Sequence, residues 1–175
     1  VFTNPLPNSY QRFGCDEAPR YVSWSRQNRS QLVRIPQVKG DNCRMELRSP
    51  DPACNPYLAI GLILAAGLDG IEKGMVPPAE ITENIFQMDD DARAAAGIDS
   101  LPGSLEEAIK AMQADPMVLE TLGGHVSENY IEGKAKEWDE YRTRVSSWER
   151  EKYIINYENL GIGRLIYQLP TTLCE

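Results

Sequence analysis

The pattern of hydrophobic and polar positions changes period near residue 50. Before it, "RYVSWS" (20–25), "SQLVRIP" (30–36) and "CRMELRS" (43–49) alternate at every second residue, the period of a β-strand. After it, the apolar positions recur at steps of three and four. The stretch "PYLAIGLILAAGLDGIEK" predicts a helix from Pro56 to about Lys73, with Pro56 in the tolerant first turn and Gly74 as its stop. A short acidic-capped helix follows at 89–96, then one from the Ser104/Glu107 capping box to about Ala114. Pro116 opens another short turn of helix. An amphipathic helix runs from about His125 to Arg144, and a last one, capped by Ser146 and Glu149, runs through about Ile155. Residues 1–19, with Pro5, Pro7, Gly14 and Pro19, read as loop. The fold class is α+β, antiparallel β-strands followed by helices. Residues 1–155 form one domain. Residues 156–175, "NYENLGIGRLIYQLPTTLCE", are a C-terminal tail of unknown role.

The longest apolar run, Tyr57 to Leu68, is too short to span a membrane, which takes about 20 residues. It reads as a buried core helix. The 175 residues suffice for a domain with a sizeable core. The net charge of −8 hides an asymmetry: residues 1–48 carry eight Lys/Arg and four Asp/Glu, residues 49–175 ten and twenty-two. A basic segment in an acidic chain suggests a local anion site, and argues against nucleic acid as a partner. The four cysteines form no CxxC pair, and with one histidine, His125, they predict free thiols in a cytoplasmic protein rather than a zinc site. His125 itself reads as a surface or cap residue, and Trp24, Trp138 and Trp148 as core and interface filling. The start, "VFTNPLPNSY", has neither a signal-peptide pattern nor an initiator Met, so the chain reads as beginning inside a longer protein.

Candidate chemistry concentrates in the basic segment. On a strand, Arg44, Glu46 and Arg48 share one face, and Met45 and Leu47 share the other, toward the core. The row alone fits two readings. One is a solvated salt-bridge ladder, of small energetic value. The other is Glu46 as a hard oxygen ligand for Mg²⁺ or Mn²⁺, with guanidiniums binding phosphate or carboxylate oxygens. Arg29 and Arg34 in "NRSQLVRIP", and Arg12 in the preceding loop, enlarge the cluster. Such a group suits phosphoryl transfer, where negative charge develops. No Walker loop and no GxGxxG is present. Glu17, in the Gly/Pro-bounded "GCDEAP", is either a solvated loop acid or a group that closes over a site and takes a proton.

The segments "NSYQRFGCDEAP", "SWSRQNRSQLVRIP", "RMELRSPDPACNPYLA", "AAGLDGIEKG" and "SLPGSLEEAI" resemble type I glutamine synthetase in order and spacing over about residues 1–154. The resemblance implies the C-terminal half of that family's catalytic domain. It also implies ATP-dependent ligation of ammonia to glutamate through a γ-glutamyl phosphate, with Mg²⁺ or Mn²⁺. Arg12, Arg29 and Arg48 then bind glutamate or the transferred phosphate. Arg34 acts on the phosphoryl group, Arg34 and Arg44 meet ATP, Glu46 binds the metal, and Glu17 is the flap acid. The intact protein is expected to be a homo-oligomer and this partial chain inactive alone. The resemblance leaves room for a relative that ligates another amine, and for a non-catalytic nucleotide-binding homologue. In "NIFQM", Phe86 stands where some members carry a tyrosine that is adenylylated.

Overall fold

The computed structural model describes residues 1–14, 18–26, 28–37 and 39–154. The alternating stretches condense into three two-residue strands, β1 (Trp24–Ser25), β2 (Val33–Arg34) and β3 (Glu46–Leu47), in the order β1-β2-β3. β2 and β3 pair antiparallel, Val33 opposite Leu47 and Arg34 opposite Glu46. β1 and β2 pair parallel, which corrects the all-antiparallel expectation. Parallel neighbours ordinarily need a crossover of a dozen or more residues. Here a shorter connection works because polar side chains brace it from inside. The fully buried Gln31 donates to the carbonyls of Ile81 and Glu83, both at 3.1 Å, and accepts from the Ser23 hydroxyl. Asn28 donates to the Glu83 carbonyl at 2.7 Å and accepts from the Ser30 N–H at 2.9 Å. The Ile81 N–H meets the Trp24 carbonyl at 3.1 Å, so residues 81–83 strap β1 and its loop together.

Of the segment read as loop, 1–19, residues 1–14 contribute to the core. They contain a 3-10 helix, Pro7–Arg12, and send Phe2 and Tyr10 inward. Tyr10 packs with Leu105, Ala108 and Ile109, and Phe2 with Leu62 and Met112. Phe2 stacks on Tyr130 at 4.6 Å between ring centres. Burial raises the phenol pKa of both tyrosines, Tyr130 to about 12. Tyr10 answers burial by donating its hydroxyl to the Asn4 carbonyl at 2.8 Å.

The helices follow the predicted periods. Asn55 caps α1 (Pro56–Glu72), and Gly74, at φ 61°, ends it. Asp89 caps α2 (Asp90–Ala95). Ser104 caps α3 (Leu105–Gln113), but the Glu107 carboxylate accepts from Gly103 N–H at 2.8 Å instead of closing the expected box on Ser104. Pro116–Arg142, α4, is two helical stretches broken at Gly123, whose φ of 73° no helical residue adopts. That break separates the short helix after Pro116 from the longer one, as the sequence predicts. The chain divides into two compact units, Val1–Trp138 and Asp139–Glu175. The described part of the second holds α5 (Ser147–Glu149), with a complete Ser146/Glu149 box that lowers the Glu149 pKa. There Trp148 is exposed, against the expected filling role, and stacks edge-on with Tyr153. The 156–175 tail lies outside the described residues.

The predicted core helix is only partly buried. Of α1, Ala59 and Leu62 are buried, while Tyr57, Ile60, Leu64, Leu68 and Ile71 are exposed. Met45, assigned to the core, is 59% exposed. No helix among the described residues is long and apolar enough to cross a membrane.

Candidate functional site

The β2–β3 register sets Arg34 directly across from Glu46. Arg34 Nη1 donates to Glu46 Oε2 at 2.9 Å. Arg44, on the same strand face as Glu46, closes a fork on the other oxygen, Nη2 at 2.9 Å and Nε at 3.1 Å from Oε1. One carboxylate therefore holds two guanidiniums. Arg34, then Arg44, keeps the Glu46 carboxyl below the usual glutamate range, against the opposing effect of desolvation. Arg34 Nε is buried and has no hydrogen-bond partner among the described residues. A buried N–H left unpaired by the chain is uncommon in a folded protein. Arg48 is half-buried, and its backbone N–H bonds the Leu32 carbonyl at 2.9 Å, which extends the pairing with β2. Arg29 is exposed in the β1–β2 connection. Glu17 lies outside the described residues.

Arg12 stands apart from that fork, at the end of the 3-10 helix. Its Nη1 reaches the Asn4 side-chain oxygen at 3.4 Å, the Ser49 carbonyl at 3.3 Å and Asp51 Oδ2 at 3.8 Å. The Ser-Pro-Asp-Pro corner after β3 thus braces Arg12. Asp51 also accepts from Ala53 N–H at 2.6 Å, and its own N–H bonds the Thr3 carbonyl. Asn4 and Asp51 escaped the sequence reading. Asp51 had a visible signal in its proline-flanked turn. Asn4 had none, being one polar residue in a Pro-rich stretch.

Other expectations fall as follows. Among the described residues no group of three or more His, Cys, Asp or Glu is placed to hold a metal ion. Glu46 alone is an incomplete donor set, and both its oxygens are engaged by arginine. His125 is exposed, with Asn129 beside its ring. Cys54 is a free, half-buried thiol and Cys43 is exposed, while Cys15 and Cys174 lie outside the described residues. Phe86, in a 3-10 helix, Ile85–Gln87, is half-buried, its ring 6.3 Å from that of Tyr21. The Arg93 guanidinium covers the Tyr21 ring at 4.6 Å. An open cleft of about 470 Å³, lined by Ser25, Arg26, Asn28, Gln37, Glu80 and Thr82, contains no predicted site residue.

The family described as glutamine synthetase, catalytic domain, matches residues 1–153. The chain belongs to the glutamine synthetase family. It is 49% identical over 156 residues to a glutamine synthetase of Clostridium saccharobutylicum, covering 89% of this chain and 35% of the relative. It is 48% identical over 153 residues to one of Thermotoga maritima, covering 87% and 35%. Among solved structures, a GmaS/ADP complex superposes with a TM-score of 0.75 at 33% identity, over 87% of this chain and 35% of that one. GmaS without ligand gives 0.69 at 34% identity, over 87% and 34%. The α+β arrangement is that of these glutamine synthetase relatives. The chain spans about a third of the length of the curated relatives it matches.

Proposed function

We propose that this chain supplies the arginine-rich wall of an ATP-dependent glutamate–ammonia ligase, working in nitrogen assimilation within a homo-oligomer. One observation carries the reading. The β2–β3 register sets Arg34 on Glu46, Arg44 joins it on the other carboxylate oxygen, and Arg34 Nε is buried without an acceptor among the described residues. A carboxylate is a poor electrophile for ammonia. Transfer of the terminal phosphoryl group of ATP to the γ-carboxylate of glutamate gives ADP and an acyl phosphate. Ammonia then attacks the carbonyl carbon, and phosphate leaves with the electron pair of the broken bond. Arg34 and Arg44 meet the charge that spreads over the phosphoryl oxygens. Arg12, Arg29 and Arg48 hold glutamate and the transferred phosphate, with Asn4 and Asp51 steadying Arg12. Glu17 takes the proton that ammonium must lose. Among the described residues Glu46 would be the ligand offered toward Mg²⁺ or Mn²⁺, which would supply charge neutralisation at the phosphates, and further ligands would come from the length of the relatives that the chain does not span.

The test is a chimera. Residues 1–153 replace the matching segment of the Clostridium saccharobutylicum glutamine synthetase, and glutamine formation is followed with glutamate, ammonium and ATP. Turnover is expected in the chimera and not in the 175-residue chain alone. Arg34→Ala should lower kcat by about 100-fold or more, the usual loss for one charge-stabilising donor. Strong preference for another amine would replace ammonia in the reading. ATP binding without turnover would refute it.

A further inference from the structure

We propose that the open face of α1 is an interface within the folded subunit, covered by the two-thirds of a relative-length polypeptide that this chain does not span. The proposal rests on reading the chain as the C-terminal part of such a polypeptide. It does not depend on which amine is ligated, or on turnover at all.

The face is well defined. Ala59 and Leu62 point inward, Leu62 toward Phe2 and Met112. At 100° per residue, Tyr57, Ile60, Leu64, Leu68 and Ile71 fall on the opposite side of the helix. Their exposures are 88, 65, 61, 50 and 76%. Met75, 67% exposed, continues the row past the helix end. No charged residue occurs between Pro56 and Leu68. A helix apolar on all sides is one that a core encloses on all sides. A monomer rarely leaves so long an apolar row in water.

Two further observations choose the occupant. A seam between two copies of a helix is a narrow stripe with charged positions along its flanks, and α1 has none along its first three turns. Gly61 and Gly67 border the open side, with nothing within 4 Å of where a side chain would begin. Glycine weakens a helix relative to alanine, a cost without return on a free surface but useful where another backbone must come close.

The experiment compares one triple variant, Ile60→Glu/Leu64→Glu/Ile71→Glu, in two settings. In the 175-residue chain, circular dichroism and thermal unfolding should be unchanged, because the three side chains already face water. In the chimera described above, soluble assembled protein should fall at least tenfold by size-exclusion chromatography with light scattering. A photo-crosslinking residue at position 64 of the chimera should join residues outside the grafted segment of the same subunit. Equal tolerance in both settings would overturn the proposal. So would loss of helix in the 175-residue chain, an insoluble chimera without the substitutions, or a dimer of the short chain that the substitutions dissolve. A soluble chimera that is crosslinked as expected yet inactive would retain this proposal and remove the ligase reading.

Discussion

Helices α1 and α3 belong to the same chain and differ in almost everything that decides burial. α3 has nine residues and buries four of them, Leu105, Ala108, Ile109 and Met112. Its other side carries Glu106, Glu107 and Lys110, and its partners, Tyr10, Ile131 and Trp138, are all present. α1 has seventeen residues and buries two. It is apolar on the side that packs and on the side that does not. One helix is finished by these 175 residues and the other is not. The arginine fork belongs with the unfinished region in the same sense, since Arg34 Nε has no acceptor among the described residues and Met45 lies open. An element whose polarity pattern matches its surroundings is complete. A mismatch locates what is missing.

Truncation offers the largest contrast. Leu105→Ala should destabilise the chain by about 3 kcal/mol, through lost transfer energy and a cavity. Leu64→Ala should stay within about 0.5 kcal/mol, as an exposed site does. Urea unfolding of the two variants measures this, and equal costs would erase the distinction. Next comes the polar brace. Gln31→Ala removes one partner from Ser23, Ile81 and Glu83 in a buried place and should cost about 1–3 kcal/mol in the same assay. A neutral result would mean that water already serves those groups. Smaller again are the caps. Ser104→Ala and Asn55→Ala should each cost about 1 kcal/mol, although one caps the finished helix and the other the open one, because a cap answers to local N–H groups rather than to burial. A large difference between them would show that the open helix is held differently from its geometry.

The last measurement is a titration. Glu46 is held charged mainly by Arg34, then by Arg44. Its folded pKa lies below its unfolded value of about 4.3, so its contribution to stability is complete above that pH and fades as the pH drops through the lowered folded value. Carboxyl carbon NMR should show the Glu46 midpoint rising in Arg34→Ala and rising less in Arg44→Ala. An unmoved midpoint would mean that the fork does not form in solution.

Much of this was legible in the sequence, for local reasons. The caps at Ser104 and Ser146, the stop at Gly74 and the pairing face of Glu46 each depend on residues a few positions apart. What could not be read depends on distant partners. The parallel pairing of β1 with β2 is enforced by Gln31 and Asn28 binding residues 81–83, about fifty positions away. The Pro-rich start looked like loop, yet its irregular backbone carries Phe2 and Tyr10 into the core, and period-based reading cannot see a core residue outside a period. Met45 was placed inside by strand alternation, which gives the side of a sheet but not whether anything covers it.

Arg12 does not stand alone on its turn. Tyr10 hangs from the carbonyl of Asn4, and the amide oxygen of Asn4 steadies the guanidinium. The ring of Tyr10 sits among Leu105, Ala108 and Ile109, so aromatic packing and charge are two ends of a single short linkage. Crowding or hollowing the space beneath that ring is therefore expected to shift Arg12 through Asn4, which gives uncharged core positions a hold on its aim.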